Sequence, residues 1–163
     1  MKKLYLVRHA KSSWKNSGQR DFDRPLNKRG CNDAQEMGRR LNRSGEQPDL
    51  IVSSEANRAI TTAEKLKSEF QNDPELRTDA RLYHSSAATI LNVINETSDR
   101  INTLCIVCHN PGISELNYLL TGNPIQMVTA AVAAIGLEIN EWKEAFSDCG
   151  ILLGYDYPKS INE

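Results

Sequence analysis

The sequence predicts an α/β protein, a three-layer α/β/α sandwich whose sheet is mixed but mostly parallel, with helices on both faces. Two observations carry this expectation. Short apolar runs of strand length alternate with stretches whose apolar residues recur at helical spacing, and the last two apolar runs have no helix between them. With 163 residues, 39% of them hydrophobic and 25% charged, the chain has the length and composition of one globular domain spanning 1–163.

Lys3-Leu4-Tyr5-Leu6-Val7 is a compact apolar run with β-formers, bounded by charge, and reads as a buried strand ending at Arg8-His9. Residues 10–27 are polar and carry Gly18 and Pro25, so they form a long loop, of the length that usually serves function. From Asn27 as N-cap, Ala34, Met37 and Leu41 mark a first helix that stops at Ser44-Gly45. Leu50-Ile51-Val52-Ser53 is a second strand, and Ala59, Ala63, Leu66 and Phe70 form the buried stripe of a second helix over 55–70. A weaker strand is expected near Arg81-Leu82-Tyr83, then a helix on Ala88, Leu91 and Ile94. Thr103 to Cys108 is the clearest buried strand, and it ends at His109-Asn110-Pro111-Gly112. A helix with Ile113, Leu116 and Leu120 follows, and then a strand pair over 130–139 and 150–157 around Glu141-Trp142-Lys143.

Several function classes drop out. No stretch approaches the roughly 18 uninterrupted apolar residues of a membrane span. The start MKKLYLVRHA turns polar too early for a signal peptide, so a soluble cytoplasmic protein with no membrane partner is expected. The cysteines at 31, 105, 108 and 149 lack the spacing of a disulfide scaffold and read as reduced thiols. Cys105-x-x-Cys108-His109 matches haem attachment and dithiol motifs, but period 2 in a strand points the two thiols to opposite faces, and no cofactor or metal site is expected. Residues 1–48 hold 12 Lys/Arg against 5 Asp/Glu, and 49–163 hold 8 against 16, a block that suits a surface for anions or simply solvated helix faces. Nucleic acid is not the expected anion, since no aromatics interleave with the basic residues.

Ligands of open α/β sheets sit at the carboxyl ends of strands. Arg8-His9, the turn from Ser53 to Arg58 and His109 all lie at such ends. An imidazole beside a guanidinium suits phosphoryl transfer: a neutral ring nitrogen can attack phosphorus while the Arg fork bonds two oxygens. Arg58 adds a second fork in the first turn of a helix, where the dipole also favours an anion.

Four segments together carry a resemblance. They are Leu6-Val7-Arg8-His9-Ala10-Lys11-Ser12; Asp23-Arg24-Pro25-Leu26 with Arg29-Gly30; Ser53-Ser54 with Arg58-Ala59-x-x-Thr62-Ala63; and Val107-Cys108-His109-Asn110-Pro111. In this order they resemble the histidine phosphatase superfamily, and within it the small phosphohistidine phosphatases of the SixA type. The resemblance implies the phosphoglycerate mutase-like fold. It also implies that His9 is transiently phosphorylated, that Arg8 and Arg58 bind the phosphoryl oxygens, that His109 hydrogen-bonds them, and that Arg24 is a third Arg of the pocket. Ser12 and His84 are further candidate substrate contacts, His84 equally an ordinary residue of the pocket rim.

Larger members of that superfamily supply a carboxylic acid to the leaving group, and this chain has no clear counterpart. Asp21 or Asp23 could serve, or could simply pair with Arg20, Arg24 or Lys28. A phosphoramidate such as phosphohistidine needs less help than an ester, because it leaves as a weakly basic imidazole. The expected activity is therefore removal of phosphate from phosphohistidine on a protein. A phosphomonoesterase acting on small esters and a non-catalytic phosphate-binding module are the alternatives. Trp14 is expected beneath the phosphate site or against a partner, Trp142 over the edge of the last strand pair, and Gly30 at a close approach where the first helix begins.

Overall fold

The computed structural model describes residues 1–162. In chain order it contains β1 (Lys2–Arg8), α1 (Lys28–Arg43), β2 (Leu50–Ser53), α2 (Asn57–Glu69), β3 (Glu75–Thr78), α3 (Ala87–Asn95), β4 (Thr103–Cys108), α4 (Gly112–Thr121), β5 (Val132–Leu137) and β6 (Gly150–Asp156). The strands make one sheet in the order β3-β2-β4-β1-β5-β6. The first four run parallel, whereas β5 is antiparallel to both of its neighbours.

Strand periodicity divides the core in two. Tyr5, Val7, Ile51, Cys105 and Val107 face α1 and α2, where Ala34, Met37, Ala59, Ala63 and Leu66 meet them. Leu4, Leu6, Leu50, Val52, Leu104, Ile106 and Cys108 face the other way, onto Ile90 and Ile94 of α3 and Ile113, Leu116 and Leu120 of α4. Central strands buried on both sides need apolar residues at every position, which is why β1, β2 and β4 read as continuous runs. Cys105 and Cys108 lie in opposite cores, both as free thiols. No helix among the described residues is long and apolar enough to cross a membrane.

Three expectations need correction. The third strand is Glu75–Thr78, and residues 80–82 form a 3-10 turn in which the Asp79 carboxylate accepts the Arg81 N–H at 2.9 Å. As an edge strand with mostly exposed side chains, β3 carries no apolar run, while Leu82 is buried from the turn rather than from a strand. On α3 the buried stripe is Ile90, Leu91, Val93 and Ile94, with Ala88 outside it. Trp142 does not cover a sheet edge: it is fully buried in the core, its indole N–H donating to the Ile101 carbonyl at 2.8 Å.

Strand register places the chain segments that follow. Arg8 is level with Cys108 and Val107 with Ser53, so residues 9, 109 and 54 leave the sheet side by side. The His9 N–H donates to the Cys108 carbonyl at 3.1 Å and the Ser54 N–H to the Val107 carbonyl at 2.9 Å. The loop over 10–27 folds back on itself: the Ser13 N–H donates to the Pro25 carbonyl at 2.8 Å and the Asn27 N–H to the Lys11 carbonyl at 3.0 Å. Asn27 also caps α1, accepting the Gly30 N–H at 2.7 Å.

Gly30 permits that fold-back, because a Cβ there would stand 2.1 Å from the Lys11 carbonyl oxygen. Backbone cannot yield as a flexible side chain does. Gly30→Ala is therefore expected to cost about 1–3 kcal/mol of stability, by overpacking, and to displace the loop beside His9. Chemical denaturation of the two proteins checks this, and an unchanged midpoint would contradict the close approach.

Candidate active site

The His9 ring has one nitrogen already committed. Its Nδ1 lies 2.8 Å from the Ala10 carbonyl oxygen, and a carbonyl only accepts, so Nδ1 carries the proton and Nε2 keeps its lone pair. Ala10 is held in turn: its N–H donates to Thr62 Oγ1 at 3.0 Å, and that hydroxyl donates to the Arg58 carbonyl one helical turn back at 2.7 Å. The His109 ring centroid is 5.0 Å from that of His9. Nε2 of His109 is 2.8 Å from Ser54 Oγ, and Nδ1 is buried with no hydrogen-bond partner.

Three guanidinium groups surround His9. Arg8 donates from Nη1 to the Met127 carbonyl at 3.0 Å, a carbonyl that also accepts from Asn110 Nδ2 at 2.8 Å. Its Nε is buried and unpartnered. Arg24 is buried, with Nε on the Ser13 carbonyl at 3.2 Å, Nη1 on Asp21 Oδ1 at 2.8 Å and Nη2 on Ser12 Oγ. Arg58, also buried, donates from Nη1 to the Asp21 carbonyl at 2.8 Å and from Nη2 to Asp21 Oδ2 at 3.0 Å. Arg8, His9, Lys11, Ser12, Trp14, Arg24, Arg58 and Thr129 line a recess of about 190 Å³. A larger, mostly apolar recess of about 320 Å³ lies between α1 and the β5–β6 pair, away from these groups.

Burial and charge set the ionisation. Burial is the main cause that lowers the pKa of His9 to about 4; the Ala10 hydrogen bond opposes it, and Arg58, Arg8 and Arg24 add to it. Burial likewise lowers His109 to about 3, helped by His9, Arg58 and His84 and opposed by Asp21. Both rings are neutral at ordinary pH. For Asp21, burial pushes the carboxyl up, but hydrogen bonds from Tyr83, Arg24 and Arg58 together outweigh it and hold the group well below the usual carboxylate range. Cys105 and Cys108 are pushed up by burial, the latter to about 12, so neither is a thiolate at neutral pH.

Of the residues singled out in the sequence, His9, Arg8, Arg24, Arg58 and Ser12 share the recess. His109 stands beside His9 but contacts Ser54 and the edge of Tyr83 instead of lining the recess. His84 is on the rim, exposed, in a left-handed conformation (φ 54°), its ring 3.9 Å from that of Tyr83 and its Nε2 3.9 Å from Asp21. Asp23 pairs at the surface with Arg20 at 2.8 Å, whereas Asp21 is the carboxylate that reaches the site. Trp14 is not beneath the site: it is 73% exposed at the mouth, with the Arg24 guanidinium carbon 3.3 Å from its ring centroid. No three His, Cys, Asp or Glu among the described residues stand together as metal ligands would.

Three contributors escaped sequence reasoning. Thr62 stood inside the quoted motif without an assigned task. The Tyr83 hydroxyl, which donates to Asp21 Oδ2 at 2.7 Å, is a single aromatic in a loop and gave no signal. The Met127 carbonyl is backbone, and side-chain identity says nothing about it.

A mixed six-stranded sheet between two helix pairs, with a basic recess where its parallel strands end, is the phosphoglycerate mutase-like fold. Comparison with known proteins narrows the class. Residues 4–89 match the histidine phosphatase superfamily (branch 1). An uncharacterised chloroplastic protein of Arabidopsis thaliana is 32% identical over 158 residues, 91% of this chain and 72% of that one. The chain belongs to the histidine phosphatase superfamily. The crystal structure of the putative phosphohistidine phosphatase SixA from Agrobacterium tumefaciens superposes with a TM-score of 0.82 at 25% identity, covering 96% of this chain and 98% of that one. The protein histidine phosphatase SixA complexed with tungstate shares the fold, with a TM-score of 0.79 at 18% identity over 98% and 99% of the two chains.

Nuclear magnetic resonance titration of the two rings is expected to find both neutral down to pH 5, with midpoints near 4 for His9 and 3 for His109. In the unfolded chain both titrate near 6.5. Below that pH the unfolded state binds more protons, so their contribution to stability is complete above about pH 6.5 and is lost as pH falls through 6.5 toward 4 for His9 and 3 for His109. A ring titrating at its ordinary value would contradict the burial of that ring.

Proposed function

We propose that the protein hydrolyses phosphohistidine on a protein substrate, with His9 as the nucleophile. The observation that most supports this reading is the His9 ring itself. Its Nδ1 proton is committed to the Ala10 carbonyl, it is neutral, and it sits in a recess walled by Arg8, Arg24 and Arg58. Nε2 attacks phosphorus, the P–N bond to a substrate imidazole protonated from solvent on its other nitrogen breaks, that ring leaves as neutral imidazole, and a phosphohistidine forms on the enzyme. Water then attacks phosphorus, the bond to His9 breaks, and inorganic phosphate leaves.

Each remaining group has a task in this scheme. The guanidinium groups face the oxygens on which charge accumulates, and such preorganised donors are the main source of stabilisation in phosphoryl transfer. Arg8 and Arg58 bind oxygens directly. Arg24, stiffened by Ser12, Ser13 and Trp14, is the third cation. With the Ser54 hydroxyl donating to its Nε2, His109 carries its proton on the unpartnered Nδ1 and offers it to a phosphoryl oxygen. Ser12 acts through Arg24, and His84 meets the body of the substrate at the rim.

Leaving-group chemistry favours the phosphoramidate. Asp21, the carboxylate that pairs with the recess arginines, is ionised and held by three donors, so it accepts protons poorly and has none to give. Expelling an alkoxide without an acid forfeits about 10²–10⁴ in rate, a loss that imidazole departure largely avoids. The small recess with Lys11 and Trp14 exposed at its mouth also suits a side chain presented by another protein.

Release of phosphate from a histidine-phosphorylated protein tests the proposal. Cleavage of small esters with no turnover of any phosphohistidine protein would overturn it in favour of a phosphomonoesterase; equal, negligible rates for wild type and His9→Ala would favour a binding module. Arg8→Ala and Arg58→Ala are each expected to lower kcat/KM by about 10²-fold or more. The reaction is expected to trap an acid-labile, alkali-stable phosphoenzyme that His9→Ala cannot form. Chelators are expected to leave the rate unchanged, since the guanidinium groups supply the positive charge.

A further inference from the structure

One anion already lives among the cations of the recess. Asp21 Oδ1 accepts from Arg24 Nη1 at 2.8 Å, Oδ2 accepts from Arg58 Nη2 at 3.0 Å and from the Tyr83 hydroxyl at 2.7 Å, and the Asp21 carbonyl accepts from Arg58 Nη1 at 2.8 Å. The two guanidinium groups come from distant parts of the chain, one from the loop over 10–27 and one from the first turn of α2. Asp21 is the bridge between them. Each bonded Nη retains a second N–H, so the bridge orders both forks without exhausting them.

Counting charge gives this bridge a second consequence. Arg8, Arg24 and Arg58 contribute three positive charges; His9 and His109 are neutral; Asp21 subtracts one. The net of two matches a phosphoryl dianion, and Lys11 at the mouth is exposed and screened by solvent. Without Asp21 the same recess would hold three positive charges around its product.

We propose that Asp21 is a resident counter-anion of the recess, a positioning residue that aligns Arg24 and Arg58 and holds the site's charge low enough for inorganic phosphate to leave. The inference rests on the recess being the phosphate site, as argued above. A unit charge a few ångströms from a bound dianion, in a half-buried setting, shifts affinity by about tenfold or more. Asp21 is thus a term in product release, separate from the chemistry at His9.

Calorimetric titration with inorganic phosphate separates the possibilities. Asp21→Asn removes the charge and keeps the shape, and it is expected to bind phosphate at least about tenfold more tightly than wild type. Its product-inhibition constant with p-nitrophenyl phosphate should fall in parallel, with kcat reduced more than kcat/KM. Asp21→Glu keeps the charge and is expected to stay within about threefold of wild type. A purely structural role predicts the opposite sign, because disordered guanidinium groups bind phosphate less well. Unchanged or weaker binding by Asp21→Asn therefore overturns the inference while leaving the phosphate site standing. Absence of phosphate binding by the wild type, or binding untouched by Arg58→Ala, overturns the site and the inference together. Should the Asn variant show no cooperative melt, Asp21→Ser is titrated in its place and read by the same sign.

Discussion

The parallel pairing of β1 with β4 is the constraint from which the rest of the site follows. Because Arg8 is level with Cys108, the two residues after them leave the sheet together, and their rings come within 5.0 Å. A slip of one residue would turn His9 or His109 to the other face and exchange the two cores along that strand. Register is protected by burial on both faces: Leu4 and Leu6 belong to the core under α3 and α4, Tyr5 and Val7 to the core under α1 and α2. The apolar alternation that holds the sheet together also aims the histidines.

Burial and charge together set the electrostatics of the site. Two imidazoles remain neutral because charging them there would cost solvation and oppose the neighbouring guanidinium groups. Neutral rings suit a nucleophile and a donor to phosphoryl oxygens. The arginines tolerate the same burial because each guanidinium has at least one carbonyl, hydroxyl or carboxylate partner. Arg8 Nε and His109 Nδ1 are buried without one.

Loops complete what the sheet begins, and each is anchored by backbone. The segment over 10–27 is fastened to the start of α1 through Lys11, Asn27 and Gly30, and this brings Ser12 against Arg24. The loop between α4 and β5 is fastened to Arg8 and Asn110 through the Met127 carbonyl, and Ser114 ties Asn110 Oδ1 and the Met127 N–H at 2.6 and 3.0 Å. Gly112 lets α4 start against the Ser85 carbonyl, where a Cβ would come within 2.2 Å, and so brings the Tyr83-His84 turn to the rim. Elements far apart in the chain converge because their loops have no room to settle elsewhere.

The sequence by itself determined the layer architecture, nearly every element and the residue types of the recess, because periodicity is local and the motif residues cluster at strand ends. It also determined that Cys105 and Cys108 part company, which follows from strand geometry alone. Only the tertiary structure decided that Asp21 rather than Asp23 enters the site, that Tyr83 supports it, that Trp14 lies at the mouth and that Trp142 is core. The weak edge strand Glu75–Thr78 belongs with these, since it is defined by pairing with β2 and not by apolar pattern. The physical reason is common to all: burial and charge pairing depend on what arrives from elsewhere in the chain, and a residue's own neighbours in sequence carry no record of it.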